Sequence, residues 1–322
     1  MEGLQLYSRK TIDQLINFRE GENKLGECVQ VLQNLDALIS STARFVLLGI
    51  PEDIGVRANY GVAGTSSAWA AALKALLNVQ SNRFLNGAEL LVLGHIVINE
   101  SDQNDGPTLQ KQIAAIDDLV FPLIQKIVAA GKIPIVIGGG HNNAYPIIKG
   151  TALAKERGVH VINIDAHADL RPANGRHSGN GFTYAIRAGY LTKYGIFGLH
   201  QNYNNEAILL EISNNPMISA IFFEEMLVNS NFKIQFWKEL SDNFENPGLE
   251  IDLDSIEGLL SSAATPSGLE LNLVRELILT SAQQYAYLHL CEGAVEMADG
   301  RSDPQTAKAI AYLITDFIRN QK

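Results

Sequence analysis

The sequence predicts an α/β protein, a three-layer α/β/α sandwich built on a mostly parallel sheet of about eight strands. Short β-rich apolar runs recur along the chain, several of them without polar alternation, as strands buried on both faces require. Between many of these runs lie segments with apolar residues at helical spacing, and strand–helix alternation of this kind builds a parallel sheet covered on both sides. No Pro/Gly/Ser-rich or charge-run linker divides the 322 residues. Length alone permits two domains, but a single domain over 1–322 is therefore expected.

Taken in order, the first forty residues carry the weakest pattern and are expected to form a helical extension flanking the core. Strands are expected at 44–50, 89–93, 133–137, 160–164, 195–199, 219–223, 249–253 and 285–291. Helices are expected at 66–77, 107–130, 144–156, 271–284 and 303–318. The clearest is 107–130, where Leu109, Ile113, Ile116, Val120, Leu123, Ile124 and Ile127 mark one face and Gly131 offers a C-terminal stop. Pro122 inside that segment predicts a kink or a split.

The composition narrows the function. A formal net charge of −10 argues against a nucleic-acid partner, because such proteins usually carry a basic face. The longest apolar runs are of strand length, and the N-terminal residues have no apolar stretch of the kind that marks a secretory signal, so no membrane association is expected. Cys28 and Cys291 are far apart and form no CxxC pair, which points to a reduced, cytoplasmic protein.

Parallel α/β sheets bind ligands at the carboxyl ends of their strands, and three of the expected strand ends carry chemistry. After 133–137 comes Gly138-Gly139-Gly140-His141, where glycines allow a sharp turn and close approach. After 160–164 comes Asp165-Ala166-His167-Ala168-Asp169, three metal-ligating side chains at alternate positions, which point the same way if the segment stays extended. After 249–251 comes Asp252-Leu253-Asp254. Carboxylates gathered at strand ends cost desolvation energy unless a cation compensates. Four Asp and two His suit a hard or borderline divalent ion, Mn²⁺ in particular. Six ligands exceed what one catalytic ion needs, so a pair of ions with bridging carboxylates is expected.

These residues resemble the arginase/agmatinase/formimidoylglutamase family of ureohydrolases, from about residue 44 onward. Gly139-Gly140-His141 is similar to the first family motif, although Asn142-Asn143 departs from it. The segment 163–169 matches the second motif closely. The segment 250–258 resembles the third, with Glu250 in place of its usual Ser and Glu257-Gly258 in place of its Asp-Pro. The resemblance implies an arginase-like fold and two Mn²⁺ ions per chain. One ion is implied on His141, Asp165, Asp169 and Asp252, the other on Asp165, His167, Asp252 and Asp254, with Asp165 and Asp252 shared. It implies that a hydroxide bridging the ions attacks the central carbon of a guanidino or formimino group, with Asp254 or Asp169 taking the water's proton. It also implies that Glu292 faces the substrate's cationic nitrogens, that His177 shuttles a proton to the leaving amine, and that the protein is a homo-oligomer. The other histidines, His95, His160, His200 and His289, have no such context and are expected to be structural.

Substrate choice is expected in Asp169-Leu170-Arg171-Pro172, because an arginine beside the cluster suits a substrate carboxylate. With the following Ser-Gly, this segment is most similar to the formimidoylglutamase branch, which hydrolyses N-formimino-L-glutamate to L-glutamate and formamide in histidine breakdown. Arg57 is a candidate for the substrate's second carboxylate. The alternatives are another guanidino substrate (agmatine, arginine or a guanidino acid) and a non-catalytic metal-binding homologue. A nucleophile elbow GxSxG and a phosphate loop GxxxxGK[ST] are both absent from the sequence.

Overall fold

The computed structural model of the chain describes residues 3–101 and 103–321. One sheet is formed by β1 (Leu4–Leu6), β2 (Phe45–Gly49), β3 (Leu90–Ile96), β4 (Ile133–Ile137), β5 (Val159–Ile164), β6 (Leu191–Leu199), β7 (Ile218–Phe222), β8 (Gly248–Asp252) and β9 (Tyr287–Cys291). Their order across the sheet is β1-β3-β2-β4-β9-β8-β5-β6-β7, and every neighbouring pair is parallel except β1 with β3. All eight expected strands are present. β1 raises the count to nine, and it lies in the stretch expected to be helical. Three residues are too few to show a period of two, so β1 was not readable from pattern. Its pairing depends on Gly94, whose φ is 134° and where an added Cβ would sit 1.9 Å from the Gln5 carbonyl oxygen. The rest of that stretch carries the short helices Arg9–Asp13 and Leu25–Cys28 and the 3₁₀ turn Leu35–Leu38.

Alternate strand residues feed two cores. Phe45, Leu47, Ile135 and Ile137 pack on one side with the helices Ala68–Leu77, Leu271–Thr280 and Gln305–Asn320. Val46, Leu48 and Val136 pack on the other with Gly106–Ala129, Ala144–Lys155 and Gly181–Arg187. Helices thus cover both faces, as a parallel sheet requires. Among the described residues no helix is long and apolar enough to cross a membrane.

The Gly106–Ala129 helix begins where the Asp105 side chain accepts from the Thr108 N–H at 3.0 Å, and it stops before Gly131, whose φ is 72°. It runs through Pro122 unsplit. A proline inside a helix costs about 3 kcal/mol, but Val120, Leu123 and Ile124 around it are fully buried, and each such burial contributes about 1.5–3 kcal/mol. Packing therefore overrides the break that the sequence suggests. The next helix lies so close that a Cβ on Gly150 would stand 2.4 Å from the Phe121 carbonyl oxygen. Buried Arg176 ties these layers together. Its guanidinium holds both Asp117 oxygens at 2.8 and 3.0 Å and donates to the Asn142 carbonyl at 2.8 Å. The exits of the four central strands β4, β9, β8 and β5 consequently meet at one edge of the sheet.

Candidate metal centre

At the β4 exit, Gly138 and Gly139 take φ of 92° and 77°. A Cβ on Gly139 would stand 2.1 Å from Asn143 Nδ2 and 2.6 Å from Glu52 Oε1. Glu52, fully buried just beyond β2, pins this turn: Oε1 accepts from the Gly140 N–H at 2.7 Å and from Asn143 Nδ2 at 2.7 Å, and Oε2 accepts from the Gly55 N–H at 3.0 Å. Asn142 Nδ2 adds a longer bond to Oε1 at 3.3 Å. The unusual Asn142-Asn143 pair thus braces the turn that delivers His141. At the β5 exit the chain bends instead of staying extended, and Asp169 has a φ of 51°. The five-residue motif accordingly divides between two groups of ligands. Asp252 ends β8, and Asp254 follows in a 3₁₀ turn whose N–H reaches Asp252 Oδ1 at 2.9 Å.

Three carboxylates converge on one nitrogen. His141 Nδ1 lies 3.2 Å from Asp165 Oδ2, 3.0 Å from Asp169 Oδ2 and 3.2 Å from Asp252 Oδ2. Yet this fully buried ring has no aligned hydrogen-bond partner at either nitrogen among the described residues. One N–H serves one oxygen, whereas a cation is shared by all four atoms. Alongside, His167 Nδ1 lies 3.3 Å from Asp254 Oδ2 and 3.7 Å from Asp165 Oδ1. The ligand atoms of His141, Asp165, Asp169 and Asp252 form one compact set, and those of Asp165, His167 and Asp254 form a second. Asp165 belongs to both sets. Asp252 belongs only to the first, and its Oδ1 takes the Asp254 N–H. The donor set fits divalent cations with oxygen-rich coordination.

The charges agree. Burial opposes protonation of His167, but Asp254 and Asp165 overcome it and push the imidazole up to about 12. Burial also opposes charging His141, and its neighbours, Cys291 and the three aspartates, raise it well above the ordinary value nonetheless. Burial, reinforced by Asp254 and Asp165, raises Asp252 well above the carboxylate range, and burial with Asp165 raises Asp169. Without a cation the centre holds protons in its place, and metal binding at such a site releases them.

A cavity of about 210 Å³ opens over the centre, lined by His167, Asp169, Asp252 and Asp254, and by Glu292 and Arg171. That is below the roughly 300–1,000 Å³ of drug-sized sites, so it suits a small substrate. Glu292 Oε1 accepts the His141 N–H at 2.8 Å, and burial, with Asp254 and Asp169 adding to it, pushes the carboxyl up to about 8. Arg171 donates to Asn59 Oδ1 at 3.0 Å. Among the described residues five non-glycines have left-handed backbone, and three of them, Tyr60, Asp169 and Glu292, line this cavity. Each such residue costs about 1–3 kcal/mol, a strain typical of ligand sites.

Two expected site residues lie elsewhere. Arg57 is held by Asp53 Oδ1 at 2.8 Å, by Glu100 Oε2 at 2.6 Å and by Asn104, outside the cavity lining. Three side chains already claim its guanidinium. His177 is also outside the lining. Its Nδ1 accepts the Gly179 N–H at 3.1 Å, and burial, then Arg171 and Arg176, push the ring down to about 4. It is a neutral cap of the following turn.

Other participants were missed from sequence. Glu52 follows a strand end like the ligands do, and the same rule applied to β2 would have found it. Glu250, noted only as a departure, is fully buried behind His141, and His289 sits against it. Tyr203 stacks on His167 with centroids 5.1 Å apart, then on His200 at 5.0 Å, and His200 stacks on Phe223 at 4.5 Å. No local pattern announces the whole column, because only His200 and Tyr203 share a segment and the other two rings come from elsewhere in the chain.

The family model described as the arginase family matches residues 43–317. A formimidoylglutamase of Geobacillus thermodenitrificans is 31% identical over 76% of this chain and 75% of its own length. Among solved structures, formiminoglutamase from Trypanosoma cruzi with Mn²⁺ superposes with a TM-score of 0.72 at 21% identity, covering 93% of this chain and 98% of the other. Agmatine ureohydrolase of Thermoplasma volcanium gives 0.71 at 19% identity, covering 93% and 94%. These superpositions show a shared fold, and that fold serves more than one substrate.

Proposed function

This chain belongs to the arginase family, and on that footing we propose that it hydrolyses N-formimino-L-glutamate to L-glutamate and formamide at a centre of two Mn²⁺ ions. The observation that carries the reading is the convergence of Asp165, Asp169 and Asp252 on His141 Nδ1 beneath a cavity that also holds Arg171. His141, Asp165, Asp169 and Asp252 would hold one ion; Asp165, His167 and Asp254, with Asp252, would hold the other. When bound, such a pair supplies Lewis acidity and makes a water nucleophilic at neutral pH.

The chain's own residues supply the rest. Asp254 Oδ1, buried and without a hydrogen-bond partner among the described residues, is the open acceptor for the water's proton; Asp169, across the cavity floor, is the other. Glu292 faces the formimino nitrogens, and with cations beside it its carboxyl would stand ionised, ready to pair with a cationic group. Arg171, steadied by Asn59, receives a substrate carboxylate in a two-point contact. With Arg57 committed elsewhere, the second carboxylate falls to neutral donors such as Ser178, which also lines the cavity. The reading includes a cytoplasmic homo-oligomer, the former in keeping with two free cysteines and the latter with the family resemblance.

Purified protein loaded with Mn²⁺ should release glutamate from N-formimino-L-glutamate and yield little urea from agmatine or arginine. Urea from a guanidino substrate would keep the centre and discard the substrate. Bound metal with no turnover of any of the three would favour a non-catalytic homologue.

A further inference from the structure

Behind His141, on the side away from the cavity, lies a second carboxylate that the proposed reaction does not use. Glu250 is fully buried in the middle of β8, in register with His289 on β9. A buried carboxylate is costly unless hydrogen bonds surround it; two partners bond it here, and the His141 ring stands next to it. Tyr287 Oη donates to Oε1 at 2.8 Å, His289 Nδ1 lies 2.5 Å from Oε2, and His141 Nε2 lies 3.5 Å from the same oxygen. His289 Nε2 lies 3.4 Å from the Gly138 carbonyl oxygen, beside the turn that delivers His141. The Phe182 ring meets the His141 ring edge-on, with centroids 5.0 Å apart, and restricts its tilt.

A neutral imidazole carries one N–H. If that hydrogen sits on Nε2, facing Glu250, the Nδ1 lone pair is free to face the point where Asp165, Asp169 and Asp252 converge. The reverse tautomer would aim an N–H at that point and a lone pair at a carboxylate. We propose that Glu250 is a positioning residue for the metal centre, fixing the His141 tautomer and ring orientation so that Nδ1 is presented as a ligand. Glu250 stands where the family motif usually has Ser, and a serine hydroxyl carries no charge with which to raise the basicity of the far nitrogen. Tyr287 and His289 hold Glu250 in turn.

The inference rests on the metal-centre reading, and the experiment separates the two. Mn²⁺ is titrated into metal-free wild-type protein and Glu250→Gln, with free ion read by its electron paramagnetic resonance signal and the fold checked by circular dichroism. Removing such a partner of a metal-ligating histidine typically weakens affinity about 10–100-fold. Glu250→Gln should therefore bind one ion about tenfold or more weakly, hold the other near wild-type affinity, and lose the spin-coupled signal of the ion pair at limiting Mn²⁺. A merely structural role would lower thermal stability without changing either affinity. If Glu250→Gln is folded and binds both ions as wild type does, the inference is overturned alone. If wild type binds no Mn²⁺, the inference and the metal-centre reading fall together. Should Glu250→Gln not fold, Tyr287→Phe, which removes one bond to the same carboxylate, replaces it: a several-fold loss at one ion supports the inference, and unchanged affinity overturns it.

Discussion

At the scale of single residues, what was legible was what repeats within a few positions. Asp165, His167 and Asp169, like Asp252 and Asp254, announce themselves by their spacing at strand exits, and the structure brings their ligand atoms together in two sets with His141. Arg57 and His177 lie outside the cavity lining: sequence shows which motif a residue stands near and not which partner claims it. Glu100 and Asn104, far along the chain, occupy Arg57, and Gly179 occupies His177. Both lessons yield predictions. Replacing Arg171 with Ala removes a charged contact worth about 1.5–3 kcal/mol, so KM for N-formimino-L-glutamate should rise roughly 10–150-fold. KM for a substrate without a carboxylate should stay within about twofold, and equal effects on both substrates would remove Arg171 from the binding site. His177→Asn keeps an acceptor for the Gly179 N–H and should leave kcat within a few-fold of wild type. A loss of about a hundredfold or more, in a range expected for general acid–base catalysis, would return the ring to catalysis.

At the scale of elements, every helix forecast beyond residue 40 is present, with ends shifted by a few residues, because amphipathic spacing over ten or more positions is a long signal. The unsplit Gly106–Ala129 helix shows where local signals give way, since Pro122 is outweighed by the buried side chains around it. The contact of this helix with Ala144–Lys155 is set by Gly150, which no helical periodicity marks as special. Gly150→Ala should therefore cost about 1–3 kcal/mol by overpacking, despite alanine's better helix propensity, and would be seen as a lower urea midpoint at unchanged slope. A stabilised variant would mean that the Phe121 carbonyl yields easily. Arg176→Met strands the Asp117 carboxyl in the interior, where breaking a buried pair costs about 3–5 kcal/mol. The same unfolding measurement checks it, and a change under about 1 kcal/mol would show that water reaches that pair.

At the scale of the whole molecule, pH and metal are coupled through the crowded centre. His167 stands near 12 and Glu292 near 8 in the metal-free protein, and His141, Asp169 and Asp252 are also raised. Groups raised on folding stabilise the fold below their unfolded pKa, and that contribution is lost as pH climbs through the folded value. His177 is shifted the other way, but its window, from about 4 to 6.5, lies lower. Between pH 6.5 and 8 the metal-free protein should therefore melt at progressively lower temperature. The rise in Tm on adding Mn²⁺ should grow over the same range as protons leave more readily. A Tm gain from Mn²⁺ that does not change with pH would contradict this balance.

The strand order has a consequence of another kind. β4 and β5 follow one another along the chain, yet β9 and β8, both made after them, lie between them. A ribosome therefore releases His141 and Asp165 long before the strands that complete their surroundings exist. Closing such long loops is slow, and the incomplete sheet exposes open edges for a chaperone to cover. Until β8 and β9 slot into that gap, the nascent chain has neither Asp252 nor Glu292 with which to build the pocket. On the proposed reading, both ions could be held only after these two strands have joined the sheet.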